Sequence, residues 1–267
     1  MPKLFIFVNH IYRTFFLHLI LFLLPIDFSA TVLATELRTT PGTPKIGDIY
    51  SEAIYVETKR KIILPDGIWE VNNSFEDRRS NWHAAWRVVT MVNKDPSTPF
   101  SMLIIRYFLN STARWDVEDC EKQSNPNGFF HETLETQGSK NVCSNFYSWT
   151  DPSHLMQTVL PKEYKFHFAK AFEKLKPGFF QDLSTGQILL EATARKNGGL
   201  YVKQEILIDA KKLGLRAEDF KFSISSESGT RASQSILYWR TDYVRAMSQQ
   251  FLESGNSTVI PPFLTAA

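Results

Sequence analysis

The sequence has few of the residues and patterns that identify most enzymes. Its 267 residues include only two cysteines and six histidines, and no two histidines stand at zinc-binding spacing. The Gly-x-Ser-x-Gly nucleophile motif, the phosphate-binding Gly-rich loop and the dinucleotide-binding Gly-x-Gly-x-x-Gly are all missing. We therefore predict no metal site and no cofactor, and no local motif identifies a catalytic residue.

A large net charge of either sign is missing as well. The chain has 30 basic and 28 acidic residues, which gives a formal net charge of +2. Proteins that bind nucleic acid or anionic membrane surfaces usually carry a basic patch or stripe. The short basic cluster at 59–61 precedes a predicted strand, where lysine and arginine commonly protect a sheet edge. The composition thus predicts neither nucleic acid nor a membrane surface as a partner.

No uninterrupted apolar run reaches the length of a membrane-spanning helix, which needs about 20 residues. The most apolar stretch covers residues 15–24 and follows Lys3 and Arg13. A basic start, a short apolar stretch and an A-x-A-like site ending at Ala34 predict a secretory signal peptide that is cleaved after Ala34. The alternative is an uncleaved helix over residues 15–34 that anchors the protein to the membrane.

Export would place the two cysteines in an oxidising compartment, where disulfides form. Cys120 and Cys143 enclose 22 residues that are rich in turn formers. Because the count is even and the C-x-x-C spacing of redox pairs is missing, we predict a structural Cys120–Cys143 disulfide. Closing such a loop stabilises a protein by about 3–4 kcal/mol in the chain-entropy model. Two free thiols or a redox pair are the alternatives.

Aromatic residues, in contrast, are abundant. They make up 13% of the chain, with 21 phenylalanines, which favours strands and a packed core. We predict a single α+β domain over residues 59–254, with an antiparallel β-sheet core and two or three packing helices. Helical spacing of apolar residues predicts two of these helices, near 161–176 and 238–252. Residues 35–58 are predicted as an extended lead-in and residues 255–267 as a loose C-terminal tail.

The pattern typical of strands is clearest in two pairs of segments. Residues 82–93 and 100–109 are separated by a turn with two prolines. The second of them is apolar on both faces except at Arg106, which predicts a central strand covered on both sides. Residues 187–195 and 200–208 flank an Asn-Gly turn, which predicts a β-hairpin.

Residues 64–71 (LPDGIWEV) form an L-P-x-G-x-W-x-V pattern, in which a Pro-Asp-Gly turn separates two short apolar strands. Together with the export signal, the two mid-chain cysteines and the two predicted helices, this pattern resembles uncharacterised exported proteins of Gram-negative bacteria. The resemblance implies a periplasmic location, or the inner membrane if the helix over 15–34 is retained. That family has no assigned activity, so no functional residue is carried over.

The segment between the cysteines and the residues after it form the best candidate for a binding site, because loops on a rigid scaffold often carry function. Aromatic rings beside polar groups can stack on sugars or bind a peptide. The predicted binding residues are Phe129, Phe130, His131, Tyr147 and Trp149. The alternative is that these rings form a small satellite core beneath the loop.

These observations favour a non-catalytic periplasmic binding or interaction module, whose partner is a protein, a peptide or a glycan. A periplasmic hydrolase is the first alternative, with catalytic residues that converge only in three dimensions. A carboxylate pair, or a histidine beside a serine, would support that alternative. The second alternative is a membrane-anchored accessory subunit that retains its N-terminal helix.

Overall fold

Ten β-strands and one long α-helix form most of the described part of the chain. The computed structural model describes residues 37–57, 60–77, 86–109, 128–137, 140–149, 187–196, 199–215, 231–253 and 262–263. The strands are β1 (Ile49–Tyr50), β2 (Ala53–Glu57), β3 (Arg60–Ile63), β4 (Trp69–Asp77), β5 (Trp86–Asn93), β6 (Phe100–Phe108), β7 (Gly128–Gln137), β8 (Lys140–Trp149), β9 (Gln187–Lys196) and β10 (Leu200–Asp209), and the helix is α1 (Arg231–Leu252).

Eight of the strands form one antiparallel sheet in the order β1-β4-β5-β6-β10-β9-β8-β7, and β2 pairs with β3 in a second, two-stranded sheet. Two runs of consecutive strands, β4–β6 and β7–β10, meet where β6 pairs with β10. Both predicted strand pairs are confirmed, since β5 pairs with β6 and β9 pairs with β10. One long-range pairing therefore joins two meanders into the main sheet.

Strand β6 lies near the middle of this sheet, and its side chains are buried on both faces. Leu103 and Ile105 lie on one face and Met102 and Ile104 on the other, all with an exposure of 2% or less. Burying each such side chain stabilises the fold by about 1.5–3 kcal/mol. The continuous apolar pattern of residues 100–109 reflects this double burial, as the sequence predicted.

Helix α1 packs on one face of the main sheet, which we call the first face. Its stripe of Trp239, Tyr243, Met247 and Phe251 is buried, as the helical spacing predicted. The helix begins at Arg231, earlier than the sequence indicated. Among the helices that the structure describes, none is both long and apolar enough to cross a membrane.

The fold is β-rich. The antiparallel sheet and a packing helix are confirmed, whereas α1 is the single α-helix of the described ranges, beside a short 3-10 helix at Ala210–Leu213. The helix predicted near 161–176 lies outside those ranges, as does the predicted cleavage site at Ala34. The expectation of two or three packing helices is therefore confirmed for one helix.

The segment between the cysteines, predicted as a loop, is in large part a β-hairpin. Strands β7 and β8 pair in antiparallel register, and the predicted turn at Gln137-Gly138 falls between them. The prediction of a loop is wrong here because turns and polar strands have similar compositions. The polar residues of this segment belong instead to strands with a polar face, described below.

Two segments that were expected outside the domain take part in its packing. Strands β1 and β2 belong to the expected lead-in, and Tyr50 and Ile54 within them are exposed by 1% or less. Near the C-terminus, the backbone N–H of Phe263 donates to Asp66 over 2.7 Å, and its ring packs edge-on against Trp239. The expected lead-in thus contributes strands from residue 49 onwards. In the expected tail, Phe263 packs against the domain.

The Pro-Asp-Gly turn lies between β3 and β4, which belong to different sheets. Gly67 has a φ of +139°, a backbone region that favours glycine. A Cβ atom at this position would lie 2.2 Å from Nδ2 of Asn93. Asn93 holds the turn by accepting from the Ile68 N–H over 3.1 Å and donating to the Asp66 carbonyl over 3.3 Å. The LPDG pattern therefore depends on an asparagine at the end of β5.

Candidate functional site

The face of the main sheet that points away from α1, which we call the second face, carries a row of polar side chains. Residues that lie directly opposite each other in an antiparallel sheet share a face. The register aligns His131 of β7 with Asn145 of β8, Asn145 with Glu191 of β9, and Glu191 with Glu205 of β10. We define the polar row as His131, Asn145, Glu191, Lys203, Glu205 and Arg106.

The charged members of the polar row pair with one another. Lys203 Nζ lies 2.5 Å from a Glu191 oxygen and 3.3 Å from a Glu205 oxygen. Arg106 Nη2 lies 3.5 Å from the other Glu205 oxygen. The Glu205 and Glu191 side chains are exposed by 3% and 10%, so these are largely desolvated ion pairs. Two carboxylates and two cations leave the row without net charge.

Both central groups of the row are held in their charged forms. Burial of Lys203 disfavours its charge, but the carboxylates of Glu205 and Glu191 outweigh this effect and raise the pKa of Lys203. Burial likewise disfavours the ionised form of Glu205, but Arg106 and Lys203 outweigh it and lower the pKa of Glu205. The charges of the row therefore stabilise each other.

Neutral hydrogen-bonding groups extend the row to the outer strand β7. Asn145 Nδ2 donates to Glu191 Oε1 over 3.2 Å, and Asn145 Oδ1 contacts Nδ1 of His131. His131 Nε2 lies 3.4 Å from the hydroxyl of Thr133, two residues along the same strand. The contacts thus continue from the ion pairs of β10 to a partly exposed histidine and threonine on β7.

One hydroxyl beside the row is buried without a hydrogen-bond partner. Thr193 of β9 is exposed by 1%, and its Oγ1 has no partner in the part of the chain that the structure describes. The register places Thr193 opposite Lys203 on one side and Cys143 on the other, and Cys143 lies opposite Thr133. Buried polar groups usually have a protein or water partner, so this hydroxyl needs an explanation.

An aromatic cluster lies next to the charged end of the row. Trp86 packs edge-on against Phe108 and Tyr201, with ring centroids 4.7 Å apart in both pairs. Phe108 follows Arg106 by two residues on β6, and Tyr201 precedes Lys203 by two residues on β10, so both rings share the face of these cations. Burial raises the pKa of the Tyr201 phenol, which stays protonated. The second face therefore combines aromatic and polar surface.

The predicted binding residues lie on the two outer strands. Phe129, Phe130 and His131 belong to β7, and Tyr147 and Trp149 belong to β8. The pairing of Gly128 with Tyr147 brings these two groups to one end of the hairpin, at an irregularity in the register. His131 is the one predicted binding residue whose side chain the structure describes, and it belongs to the polar row.

Most members of the row were missed because they come from strands that looked like ordinary core. Glu191 and Lys203 stand at alternate positions among apolar residues of β9 and β10. A charge inside a buried strand predicts a partner on a neighbouring strand, since unpaired buried charges are costly. That partner is identified only by the register. Arg106, the exception noted in the sequence of β6, has such a partner in Glu205.

Cys143 lies in the middle of β8 on the second face, with an exposure of 1%. Cys120 lies outside the described residues, so the disulfide stays a prediction. Across the described ranges, no group of three or more histidine, cysteine, aspartate or glutamate side chains is arranged to hold a metal ion. The candidate site consists of the ion pairs and hydrogen-bonding groups of the polar row.

Comparison of the sequence with protein-family models, with curated proteins and with solved structures found no match. The resemblance to exported proteins of Gram-negative bacteria therefore stays a prediction.

Proposed function

We propose that this protein is an exported, non-catalytic binding module, and that its ligand lies against the polar row on the second face. The observation that supports a ligand is the hydroxyl of Thr193, which is buried beside the ion pairs of the polar row and has no hydrogen-bond partner in the described part of the chain. An unsatisfied buried group costs about 1–3 kcal/mol. Such a group needs an explanation, and the proposal explains it by a molecule that binds there.

The charges of the row support binding rather than catalysis. A general acid needs a carboxyl group with a raised pKa, and an amine nucleophile needs a lysine with a lowered pKa. In this row the pKa of Glu205 is lowered and the pKa of Lys203 is raised. Neither group is prepared to transfer a proton near neutral pH.

Export rests on the N-terminal sequence, with its basic start, short apolar stretch and compact residues up to Ala34. The compact unit that contains the sheet begins at Leu37, after the proposed cleavage point. A periplasmic location, implied by the resemblance, would also favour the Cys120–Cys143 disulfide. Measuring the mass of the protein from its own host tests cleavage and the disulfide together.

The binding proposal is tested by native mass spectrometry of the protein purified from its host, using wild type, Thr193→Val and Thr90→Val. Thr90 is a matched control, because its hydroxyl is also buried without a partner in the described structure, but on β5. We expect a retained molecule on wild type and on Thr90→Val, and its loss from Thr193→Val. Absence of any retained molecule, and of any hit in a thermal-shift screen of polar metabolites, contradicts the proposal.

A hydrolase is the second candidate, favoured by the 3.4 Å contact between Thr133 Oγ1 and His131 Nε2. In this reading His131 acts as a general base that takes the proton of the Thr133 hydroxyl, and Asn145 orients the imidazole. Incubation with a fluorophosphonate distinguishes the two candidates. A binding module gives no adduct, whereas an adduct on Thr133 that is lost in His131→Phe supports the hydrolase.

A further inference from the structure

We infer that the protein has a second docking site, for an extended peptide of a partner protein, and that its own Phe263 occupies this site in the free protein. Phe263 contacts Asp66, Phe100 and Trp239, and we call these three residues the tail site. Trp239 belongs to α1, which packs on the first face, whereas the polar row lies on the second. The inference therefore goes beyond the proposed function and does not depend on it.

Phe263 is held in the tail site by its backbone and by its ring. The backbone N–H donates to a carboxylate oxygen of Asp66 over 2.7 Å. The ring packs edge-on against Phe100 and Trp239, with centroids 5.3 and 5.4 Å away, which is a favoured geometry for aromatic pairs. One contact recognises the main chain and the other recognises an aromatic side chain. Sites for short extended peptides combine these two kinds of contact.

The aromatic wall of the tail site is held by contacts that do not involve Phe263. The ring of Trp239 stacks on Tyr243 with centroids 4.8 Å apart, and it lies 4.9 Å from the ring of Phe100. Tyr243 in turn donates to the Ile63 carbonyl and contacts Gln204. The wall is therefore built into the packing of α1 on the sheet.

The LPDG turn sets the position of the Asp66 carboxylate. Before Asp66, the Pro65 carbonyl accepts from Trp69 Nε1 over 2.8 Å, and after it Gly67 has a φ of +139°. Asn93 Nδ2 donates to the Asp66 carbonyl over 3.3 Å. The L-P-x-G-x-W pattern therefore positions a hydrogen-bond acceptor for the N–H of a peptide.

The sequence of the tail is suited to binding as a short peptide. Pro261 and Pro262 directly precede Phe263, and a proline fixes its own φ and directs the residue before it to extended conformations. A chain that is restricted before it binds loses less conformational entropy when it binds. The partner that fits the tail site is therefore a peptide with an aromatic residue after proline.

Phe263 competes with such a partner because it belongs to the same chain. Trp239 precedes Leu252, the end of α1, by 13 residues, which correspond to about 20 Å of helix. The 11 residues from Leu252 to Phe263 can span up to about 35 Å, so the tail reaches back to the site. A short tether gives an effective concentration in the millimolar range. The tail is thus an autoinhibitory contact, and a partner binds best where Phe263 is removed.

The first test asks whether Phe263 leaves the tail site while the domain stays folded. Native-state hydrogen exchange of the purified wild-type protein measures this, because the Phe263 amide is protected by its hydrogen bond to Asp66. We expect this amide to exchange at least about tenfold faster than the slowest amides of α1. Exchange as slow as that of α1 would show that the tail opens only with global unfolding, which overturns the inference.

The second test is calorimetric titration with a synthetic peptide of residues 259–267 (VIPPFLTAA). The receptors are the full-length wild type and full-length Phe263→Ala, whose tail site lacks its occupant. The control peptide carries the same Phe263→Ala change. We expect Phe263→Ala to bind the peptide at least about tenfold more tightly than wild type does, because the tail no longer competes. Neither protein should bind the control peptide.

A further variant checks the role of Asp66. Adding Asp66→Ala to Phe263→Ala removes the acceptor of the peptide N–H, and we expect it to weaken binding of the peptide about tenfold. Unchanged affinity would contradict recognition of the main chain by this carboxylate. If a variant does not fold, the exchange of the Phe263 amide in wild type decides the inference.

Three results of the titration overturn the inference. They are no binding of the peptide to Phe263→Ala at about 1 mM, equal affinities of wild type and Phe263→Ala, and equal binding of the control peptide. A wild-type dimer in native mass spectrometry that Phe263→Ala abolishes would replace the partner peptide by the tail of a second copy. Thr193→Val leaves the tail site intact, so a result on this site neither supports nor contradicts a ligand at the polar row.

Discussion

Polar groups are buried on both faces of the main sheet, but they contact different elements. On the first face, the polar groups join α1 to the strands. Tyr243 Oη lies 2.8 Å from Gln204 and 3.1 Å from the Ile63 carbonyl, and Arg240 pairs with Glu132 of β7. On the second face, the groups of the polar row join strand to strand.

This difference is one reason why we propose a ligand on the second face. Contacts of the first face fix the position of a helix that is already in place, and the apolar stripe around them supplies the stability. The second face carries paired charges, a partly exposed histidine and an unpaired hydroxyl. A buried polar network specifies one arrangement of its side chains when all its members are satisfied.

The largest effect is expected from removing the central cation of the second face. Lys203→Met leaves Glu205 with Arg106 as the one cation that the described structure places beside it, and leaves Glu191 with the Asn145 amide. Breaking a buried pair in this way costs about 3–5 kcal/mol. Urea unfolding measures the loss. The control is Lys94→Met, because Lys94 pairs with Glu70 at 2.9 Å but is 42% exposed, and we expect less than about 1 kcal/mol. Equal losses of stability in both variants would contradict the conclusion that the ion pairs of the polar row are largely desolvated.

The polar row also predicts how stability depends on pH. Glu205 has a lowered pKa, so its contribution is present above the ordinary value of 4.5 and is lost as the pH falls through its folded value. Lys203 has a raised pKa, so its contribution is present below the ordinary value of 10.5 and is lost as the pH rises through its folded value. Stability should therefore decline at both acidic and alkaline pH.

A pH series of urea unfolding checks this expectation on wild type and on the double variant Lys203→Met/Glu205→Gln. Both declines should be smaller in the double variant, because the two coupled groups no longer titrate. Identical pH profiles would show that other groups are responsible.

A smaller effect, confined to the first face, is expected from Tyr243→Phe. The change removes the hydroxyl that lies between Gln204 and the Ile63 carbonyl, and should lower the free energy of unfolding by about 1–2 kcal/mol. Tyr238→Phe is the control on the same helix, because Tyr238 is 73% exposed and should change stability by less than about 0.5 kcal/mol. Differential scanning calorimetry of both variants measures the difference, and a Tyr243→Phe that is as stable as its control would contradict it.

The smallest expected effect is a gain in stability, and it concerns a residue of the second face. Thr193→Val removes a buried hydroxyl without a described partner, so we expect the ligand-free protein to become more stable by about 1 kcal/mol. Thr90→Val should stabilise by a similar amount. A destabilised Thr193→Val would show that this hydroxyl already has a partner, which removes the main support for a ligand there.

The local elements could be predicted from the sequence to a large extent. The apolar pattern of residues 100–109 predicted β6, the Asn-Gly turn predicted the β9–β10 hairpin, and spacing predicted the stripe of α1. The segment between the cysteines was misread because strands with a polar face have the composition of loops. Phe263 was also missed, since a single anchoring residue in a tail leaves no periodic pattern.

The candidate site could be predicted only at His131. Its partners Asn145, Glu191 and Lys203 come from three further strands, and the chain between β8 and β9 is long. Nothing in the sequence gives the register that places one charge opposite another, because register is set by pairing across the whole sheet.

The sequence by itself determined the β-rich character, the central strand and the amphipathic stripe of α1. It also predicts the export signal, which stays a prediction. These are local properties, since they depend on the side chains of one segment and their period. Only the tertiary structure decided that β6 pairs with β10 and that the second face is polar. Those properties depend on contacts between distant segments, and a one-residue shift of any one of these strands would move its members of the polar row to the opposite face.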